Sequence, residues 1–201
     1  MGIVLSLAVF FFAVVIHEFA HAFVAFKLGD TTAQRSGRLT LNPLAHIDPF
    51  GTVLLPVMLL MVNSPVLFGW AKPIPVNFAG LKDPKKGMIW VALAGPLANL
   101  ACAFVAAILF KFGLKNSEIL TSLLQYFMVI NVVLAVFNLI PIPPLDGSRV
   151  LMGILPRPSA MQLASLEPYG FILLFALLYM GLFDRIVWPV ANYILYYLTK
   201  L

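Results

Sequence analysis

The chain has 201 residues, 62% of them hydrophobic and only 10% charged, whereas soluble domains run near 45 to 50% and about 25%. That composition excludes an ordinary soluble protein and leaves a polytopic membrane protein of one domain, 1–201, with no remaining stretch long enough for a soluble regulatory module, so any regulator is expected to be a separate protein. The net charge of +5 comes from basic residues flanking apolar runs, the distribution of the positive-inside rule rather than of a nucleic-acid surface.

The first apolar run covers residues 2–26. No Lys or Arg precedes it and no polar cleavage region follows, so it reads as a retained membrane helix rather than a signal peptide. Inside it lies His17-Glu18-Phe19-Ala20-His21. Histidines four apart share a helix face and can hold one tetrahedral zinc, with Glu18 in reach of water at the metal. The alternative is a pair of core histidines satisfied by backbone carbonyls. An acidic or basic side chain at the centre of a membrane helix costs about 2.5 to 3.5 kcal/mol on insertion scales, so this cluster is functional by default. Ala13, His17, His21 and Ala25 fall on one face, where small side chains let a neighbouring helix approach closely.

Beyond this helix, Gly37-Arg38-Leu39-Thr40-Leu41 alternates polar and apolar before Asn42-Pro43, which predicts a short cytosol-side strand. Its edge could hold an extended peptide by β-augmentation, or the segment could be a surface hairpin that only connects helices. Residues 50–62 are apolar but short and broken by Pro56, and the following stretch carries Pro65, Gly69, Pro73 and Pro75. Such a segment suits a re-entrant hairpin as well as a span. Residues 87–112 and 118–140 are full spans. In the first of these Ala94, Ala98, Cys102 and Ala106 recur every four residues, a surface that matches the small face of the first helix. Asn99, a polar amide in an apolar span, should bond across helices or face a cavity. Cys102 is the only cysteine, so no intrachain disulfide forms. Near the C-terminus Tyr169 to Phe183 and Ile186 to Leu198, separated by Asp184-Arg185, predict a helical hairpin over about 160–200. The expected fold is all-α, with about five transmembrane helices, a re-entrant hairpin and a short strand, and a catalytic core over about 2–155.

A catalytic zinc takes three protein ligands, so His17 and His21 need a third donor. Candidates are His46, Asp30, Asp48, Asp83, Glu118, Glu167, Asp184 and Asp146. Pro141, Pro143 and Pro144 make the backbone before Asp146 irregular at or near membrane depth, where such backbone must face protein or a water-filled cavity. Asp146 could also cap a helix, but the need for a third ligand favours it as a donor. If it shares a metal with His17 and His21, the first helix and the 118–140 helix run in the same direction. Residues 45–80 must then cross the membrane zero times or twice. With that segment re-entrant, Lys27, Arg35, Arg38, Lys72, Lys82, Lys85, Lys86, Arg149, Arg157 and Lys200 fall on the cytosolic side, against Lys111, Lys115 and Arg185 outside.

Taken together, these segments resemble the site-2 protease family of intramembrane zinc metalloproteases, in its small members without an appended PDZ or CBS regulatory domain. The resemblance rests on His17-Glu18-Phe19-Ala20-His21, Gly37 to Pro43, His46 to Thr52, Gly69 to Val76, Gly95-Pro96-Leu97-Ala98-Asn99, and Asn138 to Gly147. It implies one Zn2+ per chain bound by His17, His21 and Asp146, with Glu18 as catalytic carboxylate. It also implies a three-helix core, chemistry facing the cytosol of a prokaryotic plasma membrane, and substrates that are transmembrane segments of other proteins. Zinc would bring the pKa of water toward about 7, and Glu18 would take its proton and return it to the leaving amine. Asn138 and Asn99 are the candidate donors to developing oxyanion charge, the alternative being that either only fixes helix packing. Rival readings are a membrane metal or ion transporter and an inactive client-binding scaffold. Ionisable groups clustered at one depth argue against the first, and an intact Glu18 against the second. His46 and the Gly69 to Val76 loop match family motifs without an assigned chemical role.

Overall fold

The structure is a computed structural model that describes residues 3–62, 71–112 and 117–200. Gly69, Trp70 and Lys115 lie outside the described residues. Among the described residues nine α-helices run in the order α1 (Ile3–Lys27), α2 (Thr32–Arg35), α3 (Leu55–Met61), α4 (Pro84–Lys111), α5 (Glu118–Asn138), α6 (Asp146–Ile154), α7 (Arg157–Ala164), α8 (Gly170–Tyr179) and α9 (Trp188–Lys200). Short 3-10 and π turns join them at Pro43–His46, Pro49–Leu54, Phe78–Gly80, Glu167–Tyr169 and Phe183–Val187.

Caps set the long helices. Asp83 accepts the Lys86 N–H at 3.1 Å and Pro84 follows as first residue of α4, where its missing N–H is no loss. Ser117 caps α5. The 28 residues of α4 extend about 42 Å at 1.5 Å per residue, ample for a hydrocarbon core of about 30 Å. α4 is the central helix, flanked by α1 and α5, with α6 and α9 packed on it as well. Ala103, Ala106 and Ala107 of α4 meet Met128, Val132 and Val136 of α5, and Leu174, Val187 and Ala191 of the C-terminal helices close the same core. Outward-facing Phe12, Leu97, Phe104 and Val105 are exposed, an apolar exterior suited to lipid. The protein is an integral membrane protein.

Among the described residues four stretches are long and apolar enough to cross a membrane: Leu5–Lys27, Pro84–Lys111, Glu118–Asn138 and Arg157–Tyr179. The 13 residues of α9 fall short of the roughly 20 that a simple span needs. The C-terminal break also differs from expectation. It falls at Gly181, whose φ of +87° favours glycine, and Asp184 and Arg185 lie within the helical turn Phe183–Val187.

No strand occurs among the described residues, so the strand expected over 37–41 is not formed. That stretch is a turn and bend in which Arg38 is buried at 8% exposure while Leu41 is 52% exposed. The alternation is in the sequence but burial does not follow it: carbonyl oxygens hold the Arg38 guanidinium inside, Leu39 and Thr40 are both half-buried, and Leu41 faces out.

The ends of the segment between α1 and α4 lie side by side. Lys82 donates its N–H to Leu28 O at 3.1 Å, and Lys72 donates to His46 O at 2.9 Å. Helical turns and α3 cover Pro49 to Met61 on the outward limb. Residues 63–70 lie outside the described residues. Residues 71–77 return without helix or strand.

Candidate metal centre

Four-residue spacing on α1 puts both imidazoles on one side, with ring centroids 4.6 Å apart. Their Nε2 atoms approach to 3.0 Å. Asp146 Oδ2 lies 3.0 Å from His17 Nε2 and 3.2 Å from His21 Nε2. The carboxylate belongs to the first residue of α6, whose preceding cap position is Leu145, so Asp146 is not the cap itself. The Pro143-Pro144 bond before it is cis.

The remaining ring nitrogens fix the tautomers. His17 Nδ1–H donates to Asn99 Oδ1 at 2.6 Å, and His21 Nδ1–H donates to the Val91 carbonyl at 2.6 Å. A carbonyl oxygen only accepts, so each Nδ1 carries the proton and each Nε2 presents a lone pair inward. Two imidazole lone pairs and a carboxylate oxygen therefore converge in a site where His17 and His21 are 6% and 8% exposed. Such a donor set is mutually repulsive without a cation. Ligands about 2.0 Å from a tetrahedral zinc would stand about 3.3 Å apart, close to the spacing found, so the residues present fit the metal. The cluster is a recognisable candidate metal site.

α4 reaches the donors through Gly95. A Cβ there would sit 2.4 Å from His21 Nε2 and 2.6 Å from His17 Nε2, so no larger residue fits. The small face of α4 runs through Val91, Gly95, Asn99 and Ala103, all buried, whereas the expected Ala98 and Cys102 are only half-buried. Asn99 is fully buried and uses both of its own N–H groups, to Asn131 Oδ1 at 2.7 Å and Ala13 O at 3.2 Å. Asn131 donates in turn to Phe127 O. Asn138 gives an N–H to Leu134 O at 2.9 Å within its own helix and is half-buried.

Glu18 is half-buried, and its Oε2 accepts the Ile74 N–H at 3.1 Å. Five of the other candidate ligands, Asp30, His46, Asp48, Asp83 and Glu167, have structural partners. Asp48 accepts from Phe50 and Gly51 N–H, Asp83 caps α4, and Glu167 lies 3.6 Å from Arg149. His46 is fully buried with Nε2 donating to Thr40 O. Asp30, 3% exposed, accepts from the Thr32 N–H and hydroxyl and from the Asn77 N–H at 2.7 Å. Burial alone would raise its carboxyl pKa, but these donors outweigh burial and hold it below the ordinary carboxylate value. Sequence reasoning missed Asn131 and the buried role of Arg38. Asn131 carried the same signal as Asn99, an amide in an apolar span.

A helical membrane protein with two histidines and an aspartate gathered in a buried lone-pair cluster, and a glutamate beside it, has the architecture of an intramembrane metallopeptidase. The profile of peptidase family M50 matches residues 113–178. The chain is 41% identical over 184 residues to the protein named "Putative zinc metalloprotease YwhC" of Bacillus subtilis, a match covering 88% of this chain and 80% of that one. It is 31% identical to "Putative zinc metalloprotease Rip2" of Mycolicibacterium smegmatis, over 87% of this chain and 66% of that one. "Zinc metalloprotease MJ0392" of Methanocaldococcus jannaschii is 27% identical over 73% of this chain, but only 33% of its own length is covered. No solved structure matches. The chain belongs to peptidase family M50, the family of site-2 proteases.

Proposed function

We propose that this zinc metalloprotease hydrolyses peptide bonds in or next to transmembrane segments of other membrane proteins, with His17, His21 and Asp146 holding the zinc and Glu18 acting as general base. The observation that carries the assignment is the convergence of Nε2, Nε2 and Oδ2 within 3.2 Å of one another. When bound, zinc supplies a Lewis acid that acidifies water and polarises the scissile carbonyl. Glu18, one oxygen held by Ile74 N–H, takes the proton of the attacking water on its other oxygen and delivers it to the leaving amine. Asn99 orients His17 rather than facing substrate, since both of its N–H groups are engaged. Asn138 keeps one N–H beyond its helix bond to Leu134 and is the remaining side-chain donor for oxyanion charge. A helical substrate hides its amides in i to i−4 bonds, so it must unwind locally before attack.

The active site faces the cytosol of a prokaryotic plasma membrane in this reading, because the nine Lys and Arg residues from Lys27 to Arg38, Lys72 to Lys86 and Arg149 to Arg157 then lie inside, against Lys111, Lys115 and Arg185 outside. In the same reading the segment 45–80 is re-entrant, its described limbs beginning and ending on one side. The adjacency of Lys72 to His46 and of Lys82 to Leu28 supports it, as does the shortness of the helical limb.

Purified protein in detergent should contain one zinc per chain and cleave a single-span substrate. Glu18→Gln should keep the zinc and lose cleavage, while Asp146→Ala should lose zinc. Equal cleavage by wild type and zinc-loaded Glu18→Gln would refute the assignment of the base.

A further inference from the structure

Residues 72–77, neither helix nor strand, run as a strap against Glu18 of α1. Four anchors fix it. Lys72 N–H reaches His46 O. The Arg38 guanidinium donates to Ala45 O, to Lys72 O at 2.7 Å and to Pro73 O at 3.3 Å. Ile74 N–H donates to Glu18 Oε2 at 3.1 Å. Asn77 N–H donates to Asp30 Oδ2 at 2.7 Å. Arg38, His46 and Asp30 are 8%, 0% and 3% exposed, so the anchors are buried at both ends.

Two features of this strap exceed what a connector needs. Arg38 is a buried cation whose described partners are carbonyl oxygens rather than a carboxylate. Burying a charge without an ion-pair partner is costly, which marks it as a device rather than a surface charge. The second feature is Pro73-Ile74-Pro75. Neither proline has an N–H, so residues 73–75 carry a single backbone donor, and it points at Glu18. Pro75 also keeps Ile74 extended, and Pro73 has its own φ fixed.

We infer that Arg38 is a positioning residue for catalysis: by clamping the carbonyls of Ala45, Lys72 and Pro73 it holds the Ile74 amide on one oxygen of Glu18, leaving the other oxygen aimed for proton transfer. The inference rests on the reading of Glu18 as general base. It gives a role to Arg38 and to the 71–77 loop, which the metal site alone leaves without one. His46 contributes through its backbone carbonyl, and its ring, fully buried on Thr40 O, fixes the turn that presents it.

The strap could instead be a plug that blocks the site, and the two roles predict opposite signs. Ile74→Pro deletes the one donor at a position already restricted to extended backbone. With zinc still at one per chain and an unchanged melting temperature, Ile74→Pro should lower kcat about ten- to a hundredfold with KM little changed, the loss expected from a catalytic group misplaced by a fraction of an ångström to an ångström. Arg38→Ala, or Arg38→Lys if the alanine variant does not fold, should lower kcat in the same way. It should also speed deuterium exchange at the Ile74 amide, the only exchangeable amide between residues 73 and 75. The double variant should be no slower than the slower single one, since both act on one contact. Wild-type kcat in Ile74→Pro, losses that multiply in the double variant, or faster cleavage in either single variant would overturn the inference. Glu18→Gln separates the two layers: if it cleaves normally the base itself is misassigned, whereas an inactive Glu18→Gln beside a fully active Ile74→Pro refutes the strap alone.

Discussion

An imidazole becomes a metal ligand only when its other nitrogen is told to keep the proton. Val91 O does this for His21 through the backbone of α4, and Asn99 Oδ1 does it for His17. Asn99 is itself oriented, because Ala13 O and Asn131 Oδ1 can only accept and therefore draw its NH2 group, turning its oxygen toward His17. The chain from Asn131 through Asn99 to His17 thus crosses three helices to set one tautomer. Removing such an outer partner typically costs ten- to a hundredfold in metal affinity. Asn99→Ala should accordingly weaken zinc binding by about that factor in chelator competition, and zinc retention equal to wild type would show that His17 needs no such partner. The gathering of His17, His21 and Asp146 was legible in the sequence because the spacing on α1 and the prolines before Asp146 are local signals. The contact between Asn99 and Asn131 was not. It depends on the register of α4 against α5, and small residues on nearly every face of 91–107 (Ala92, Ala94, Gly95, Ala98, Ala101, Ala103, Ala106, Ala107) leave several equally plausible packing stripes.

At the scale of elements, periodicity works differently near a bilayer. Residues 37–41 alternate as a half-buried strand would, yet Arg38 faces in and Leu41 out, because an outward leucine can meet lipid and an inward arginine finds carbonyls. Alternation alone did not reveal which residues were buried. The C-terminal break was likewise placed on a charged pair, when the chain reversal needed the backbone of Gly181. Asp30 shows how a short polar residue joins elements that the sequence keeps 47 positions apart, tying the end of α1 to Asn77 just before α4. Its folded pKa lies below the unfolded value of 3.8. Its contribution to stability is therefore complete above the unfolded pKa and is lost as pH falls through the folded one. Asp30→Asn should lower stability at neutral pH by about 1 to 3 kcal/mol, the range for hydrogen bonds to a charged group. Thermal melts in detergent should show the gap between wild type and variant closing in acid below about pH 4. A gap independent of pH would mean that the carboxylate charge is not what holds Asn77.

The whole molecule is organised by one requirement, that residues far apart in sequence reach the same depth. α1 delivers His17 and His21, α4 passes Gly95 beside them, and Asp146 arrives after α5 has ended. α1 and α4 run antiparallel, since Ala13 meets Asn99 while His21 meets Val91. The bond from Lys82 to Leu28 puts the start of α4 beside the end of α1. An even number of crossings between them follows from that bond alone, and the site geometry requires the same. The helical limb from Pro49 to Met61 has 13 residues, short of the roughly 20 for a simple span, so zero crossings is the economical solution. Single cysteines in a Cys102→Ser background test this directly with a membrane-impermeant maleimide. Ser36→Cys and Lys82→Cys should label from the same face of sealed vesicles, and Lys111→Cys from the other. Met61→Cys, at a position that is 77% exposed, separates a hairpin that turns back within the membrane from two full spans: labelling from the Lys111 face would mean that the segment crosses twice. Ser36 and Lys82 labelling from opposite faces would be incompatible with His17, His21 and Asp146 sharing a metal at all.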